Sequence, residues 1–191
     1  MRRKGFSLIE MMITIAIVAI LLLIATPSFT SWMNNARIRS AAESIQNGLR
    51  TARNEAAQRG TPVRFQLGST TGASWTVCQM ATGATDCTGG TTIETRDASE
   101  QQLALTTSTA KTALTTPGTL ITGGVPAGIT FDALARPTSF GTNSLSRIDV
   151  AGSKTAGRRL VIMISAGGMV RACDPETVNL STSDAQSCGT N

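Results

Sequence analysis

From Phe6 to Ala25 the chain carries twenty residues that include one charge, Glu10, and neither glycine nor proline. As a helix this stretch is ~30 Å long, which matches the hydrocarbon thickness of a bilayer. Arg2, Arg3 and Lys4 stand just before it. Cations on that side favour a cytoplasmic N-terminus with the remainder of the chain across the membrane. The segment therefore predicts a single spanning helix.

An ordinary secretory signal is the competing reading. Against it, the apolar run is longer than a signal core, holds a carboxylate, and continues into a helical pattern. Glu10 is the anomaly: a carboxylate in an apolar helix costs several kcal/mol unless neutralised or paired, which marks it for function.

The run Gly5-Phe6-Ser7-Leu8-Ile9-Glu10 resembles the class III signal of type IV prepilins and type II secretion pseudopilins. The resemblance implies a prepilin peptidase as first partner, cleaving between Gly5 and Phe6 and N-methylating Phe6. Such a cut precedes the apolar helix, so the anchor stays. It also implies that Glu10 meets the Phe6 amine of a neighbouring subunit, a pairing that would reward correct axial register because either charge alone is penalised.

Pro27 is expected to kink or locally melt the helix. Beyond it Ile38, Ala41, Ala42, Ile45, Leu49, Ala52 and Ala56 recur at three- and four-residue steps. This amphipathic helix is stopped by Gly60 and Pro62. One helix from Phe6 to Arg59 would span ~80 Å, its first half anchor and polymer core, its second half packed on a head. Its arginines read as a solvated face, with Glu55 and Arg59 at ion-pair spacing.

From Val63 onward the pattern changes to short strands: 63–67, 75–80, 91–95, 101–105, 129–131, 147–150, 159–164 and 169–172. Gly and Thr/Ser clusters separate them. Gly167-Gly168 reads as a hairpin turn, and residues 106–124, poor in bulky apolar side chains, as a mobile loop. The fold class is α+β, a helix on an antiparallel sheet or pair of sheets. The expected divisions are a leader at 1–5, a membrane and filament-core helix at 6–29, an amphipathic helix at 30–62 and a β-rich head at 63–191.

Cys78, Cys87, Cys173 and Cys188 are the cysteines. Behind an export segment they read as disulfides; three connectivities are open, and the two local pairings are the most economical. With no histidine and no clustered carboxylates, no metal or other cofactor is expected. The same absence of histidine and of paired-carboxylate or phosphate-loop motifs argues against an enzyme. The net charge of +5 includes Arg2, Arg3 and Lys4; without them 14 basic residues face 12 acidic ones, so overall charge is weak evidence for a nucleic-acid partner.

The stretch 38–63, the run Ile129-Thr130-Phe131-Asp132-Ala133-Leu134-Ala135-Arg136-Pro137-Thr138 and the terminal Gly168-Met169-Val170-Arg171-Ala172-Cys173-Asp174-Pro175 are similar to GspH/FimT-type minor pilins. The middle loops are unmatched. The resemblance implies a pilin fold and a minor type IV pilin that helps initiate or cap a pilus. Its partners would be major and minor pilins, in support of twitching motility or DNA uptake. It further implies an inner-membrane protein with a periplasmic head that reaches the cell surface in the pilus. The first alternative is a type II secretion pseudopilin. A second is a DNA-binding pilin for natural transformation. Some relatives use a Gly-Arg-x-Arg pattern; here Gly168, Met169, Val170 and Arg171 match it without the first arginine. Lys154, Arg158, Arg159 and Arg171 would be the phosphate-contacting cations. The competing reading is that they are solubilising strand-edge charges.

Overall fold

In a computed structural model of the chain, residues 7–68, 72–97, 103–108, 128–140, 144–152, 158–175 and 188 are described here. Among the described residues one helix, α1 (Leu8–Arg59, 52 residues), precedes eight strands. These are β1 (Val63–Leu67), β2 (Trp75–Gln79), β3 (Thr91–Arg96), β4 (Leu103–Ser108), β5 (Gly128–Phe131), β6 (Arg147–Gly152), β7 (Arg159–Ile164) and β8 (Val170–Cys173). They form two antiparallel four-stranded sheets, ordered β3-β2-β1-β5 and β4-β6-β7-β8.

The second half of α1 is the common wall of the core. Ile38, Ala42, Ile45, Leu49, Ala52 and Ala56 are buried, and they share one cluster with Val63, Phe65, Trp75 and Phe131 of the first sheet and Ile148, Val150 and Ile162 of the second. Burying side chains as large as Ile45 or Leu49 stabilises the fold by roughly 1.5–3 kcal/mol each. The small residues between them let both sheets approach the helix axis. At Gly48 the approach is tight: an added Cβ would lie 2.9 Å from Phe65 Cε2 and 3.0 Å from Trp75 Cδ2.

The helix ends where the sequence says it must. Gly60 takes a left-handed conformation (φ 63°) and donates its N–H to Ala56 O, a geometry that glycine adopts without steric cost. Arg59 pairs with Glu55 one turn back. Gly168 makes another such turn (φ 75°) in the β7–β8 hairpin, closed by bonds from Ser165 N to Met169 O and from Gly168 N to Ser165 O, each 2.9 Å.

Several expectations are corrected. α1 runs through Pro27 as one element, so of the two expected effects the proline does not melt it. The N–H that proline lacks is a single loss within many intact turns. Thr106, Thr107 and Ser108, expected in a loop, belong to β4, where they pair with Asp149, Ile148 and Arg147; strand pairing outweighs their lack of apolar bulk. The rest of that expected loop, 109–124, lies outside the described residues, as do Gln101 and Gln102. The last strand is shifted by one residue, to Val170–Cys173, because the hairpin turn retains Met169.

Candidate functional site

Two regions of α1 behave oppositely. Every large apolar side chain named from Leu8 to Leu22 is more than half exposed, whereas Ile38 is 1% exposed. The transition follows Phe29 and Trp32, whose rings lie 6.1 Å apart and are themselves exposed. Among the described residues no helix is long and apolar enough to cross a membrane. The described side chains of the apolar run stop at Leu22, short of its sequence limit at Ala25. Glu10 stands exposed in the first turn of α1, where the unsatisfied N–H groups of a helix start favour a carboxylate. Gly5 and Phe6 lie outside the described residues.

Each sheet carries a disulfide on the face turned away from α1. Cys78–Cys87 sits on the first, where Cys78 is in register with Arg64, and the N–H of Cys87 donates to Gln66 Oε1 at 3.1 Å. Arg64 is largely buried among Thr130 and Gln66; desolvation pushes its pKa down and Asp86 opposes that. Cys173–Cys188 sits on the second, packed with Val161 and Met163. The two local pairings are thus the ones formed.

The outer face of the second sheet also holds a buried ionic group. Arg147 Nη2 and Arg159 Nη1 both donate to Asp149 Oδ1, each at 2.8 Å, and all three residues are buried. Sequence reading offered Arg159 as a phosphate contact, but the structure commits it to Asp149. Arg158 donates from Nε to Asp174 Oδ2 at 2.7 Å, so that cation also faces a carboxylate. Lys154 lies outside the described residues. Of the three described candidates, Arg158 and Arg159 each face a carboxylate and Arg171 lies apart from them, beside α1. Neither Arg147 nor Asp149 was singled out from the sequence, although Arg-x-Asp on a strand was a visible sign that both point to one face.

Arg171 belongs to a different feature. It lines a cleft of about 420 Å³ between α1 and the β7–β8 hairpin, together with Arg50, Arg53 and Met169. Among the described residues no group of histidine, cysteine, aspartate and glutamate side chains is placed to hold a metal ion.

The head's acidic turn is preorganised. Asp132 Oδ1 accepts the N–H groups of Leu134 and Arg136, each at 2.9 Å, and its other oxygen pairs with the Arg136 guanidinium. The Arg136 N–H foremost holds this carboxyl below its usual pKa.

Comparison with known proteins follows the same division of the chain. The family model described as type II transport protein GspH matches residues 41–168, and the prokaryotic N-terminal methylation motif matches residues 1–26. The type II secretion system protein H of Xanthomonas campestris is 39% identical over 64 residues, 34% of this chain; the chain spans only 38% of that protein's length. The type IV narrow pilus major component PilA5 of Thermus thermophilus is 36% identical over 91 residues, 43% of this chain and 77% of that one. In fold, the chain resembles the type IV minor pilin FimU of Pseudomonas aeruginosa (TM-score 0.52, 16% identity, 73% of this chain and 90% of that one). It also resembles the minor pseudopilin EpsH of Vibrio cholerae (TM-score 0.50, 13% identity, 73% and 98%). A helix packed on antiparallel sheets, the methylation motif and the match over residues 41–168 agree: the chain belongs to the GspH family of minor pilins and pseudopilins.

Proposed function

We propose that the protein is a minor type IV pilin that takes part in initiating or capping a pilus, in support of pilus biogenesis, twitching motility or DNA uptake. One observation supports this reading: α1 is a continuous helix whose second half is buried in its own head, while the large apolar side chains from Leu8 to Leu22 stand exposed among the described residues. Such a surface calls for burial elsewhere, first in a membrane and then among the helices of other subunits. On this reading residues 1–5 are removed by a prepilin peptidase between Gly5 and Phe6. Residues 6–29 form the inner-membrane and filament-core segment, 30–62 the amphipathic segment, and 63–191 the periplasmic head that is later carried to the cell surface. Glu10 recognises the N-methylated amine of Phe6 on a neighbouring subunit. The chemistry is packing and electrostatic register.

A second reading, a pseudopilin of type II secretion, is favoured by the likeness to the Xanthomonas protein. A deletion strain scored together for surface pili, transformation and exoprotein secretion separates the two. Loss of pili with secretion intact supports the first; loss of secretion with pili intact overturns it in favour of the second.

A further inference from the structure

The cleft beside Arg171 is not explained by an assembly helix or by the disulfides. One wall is α1, presenting Arg50 and Arg53; the other is the β7–β8 hairpin, with Met163, Met169, Val170 and Arg171. Among the described residues its lining carries three arginines and no carboxylate. Arg59, Arg136, Arg147, Arg158 and Arg159 each hold an aspartate or glutamate. Arg50 and Arg53 instead reach neutral oxygens, Gln46 Oε1 and Ala135 O, each at 3.4 Å. Long bonds to neutral acceptors leave most of a guanidinium's attraction for an anion unspent.

The rest of the lining says which anion fits. Met169 is 68% exposed at the hairpin tip, and Met163 and Val170 add apolar wall. A thioether at an open edge suits an adaptable apolar contact. No aromatic ring lines the cleft among the described residues, and Phe65, Trp75 and Phe131 are buried, so a base-stacking platform of the kind single-stranded nucleic acid uses is missing. A volume of about 420 Å³ receives a few side chains, not a folded partner.

We propose that this cleft is a binding site for an acidic peptide segment of a partner protein, its carboxylate received by Arg50 and Arg53 and its neighbouring apolar side chain by Met169. Arg50 and Arg53, three apart on α1, project from neighbouring positions on one face. They supply fork-shaped donors suited to a carboxylate, and the methionine supplies the apolar complement that a phosphate backbone lacks.

The test uses the full processed chain in detergent micelles and fluorescence anisotropy. The probe is a fluorescein-labelled hexapeptide of alternating Glu and Leu; a Gln/Leu hexapeptide and a short DNA duplex are its comparators. The expected result is saturable binding of the Glu/Leu peptide, at least about tenfold tighter than that of the Gln/Leu peptide. It should weaken by about tenfold or more in Arg50→Gln/Arg53→Gln, and less in Met169→Ala. Unchanged thermal unfolding of the double variant shows that the loss is local. The proposal is overturned by absence of saturable Glu/Leu binding, by binding indifferent to the double substitution, or by duplex DNA binding more tightly than the peptide through the same two arginines.

Discussion

The indole of Trp75 donates its Nε1 proton to Ser44 Oγ at 2.9 Å, a buried bond from the first sheet to the helix. It places the ring over the helix backbone at Gly48 and edge-tilted against Phe65, with centroids 5.8 Å apart. A serine in the middle of an apolar helix face is therefore the polar partner of the head's buried tryptophan. Ser44→Ala should leave that N–H unsatisfied and cost about 1–3 kcal/mol in urea unfolding. Stability equal to the parent would show that the bond contributes nothing net.

Gly48→Ala tests two opposing effects at one position. Alanine gains about 1 kcal/mol of helix propensity, but its Cβ meets two aromatic rings at 2.9 and 3.0 Å, and overpacking of this kind costs about 1–3 kcal/mol. The rings are held between sheet and helix, so the clash should win and the melting temperature should fall. A rise would mean that the sheet moves away freely.

Asp149 serves two buried guanidiniums at once. Replacing it with alanine leaves Arg147 and Arg159 without their shared carboxylate and should destabilise the head by about 3–5 kcal/mol. Asp132→Ala, at an exposed pair, should do far less. Equal effects of the two substitutions would contradict the burial argument.

The Asp132 carboxyl is held below its ordinary value of 3.8 by the turn's N–H groups and Arg136. A depressed folded pKa means that its stabilising contribution is full above 3.8 and is lost as pH falls through the lower, folded value. A carboxyl carbon titration by NMR should therefore give a midpoint under 3.8. A midpoint at or above that value would remove the turn from any account of acid stability.

Glu10→Ala should leave leader cleavage largely intact, because the proposed cut, between Gly5 and Phe6, does not involve it, while abolishing incorporation into filaments. Immunoblots of whole cells and of sheared pili read the two steps separately. Wild-type incorporation of the variant would refute the role given to Glu10.

What the sequence by itself determined was whatever depends on neighbours along the chain. Three- and four-residue spacing placed the buried face of α1, and Gly60 with Pro62 marked its end. Alternation and turn residues located most strands to within a residue or two, and the basic leader with Gly5, Phe6 and Glu10 pointed to the family. Tertiary structure decided what depends on pairing across the chain. It arranged the described strands as two sheets sharing one helix, chose among three possible disulfide pairings, and drew Thr106–Ser108 into β4. It also sorted the arginines. Sequence assigns each the same charge, but pairing of β6 with β7 brings Arg159 diagonally within reach of Asp149, while packing of the hairpin beside α1 brings Arg50, Arg53 and Arg171 around one cleft. Residues that far apart in the chain meet only when both sheets close on the helix, and the meeting of distant charges is what local pattern does not encode.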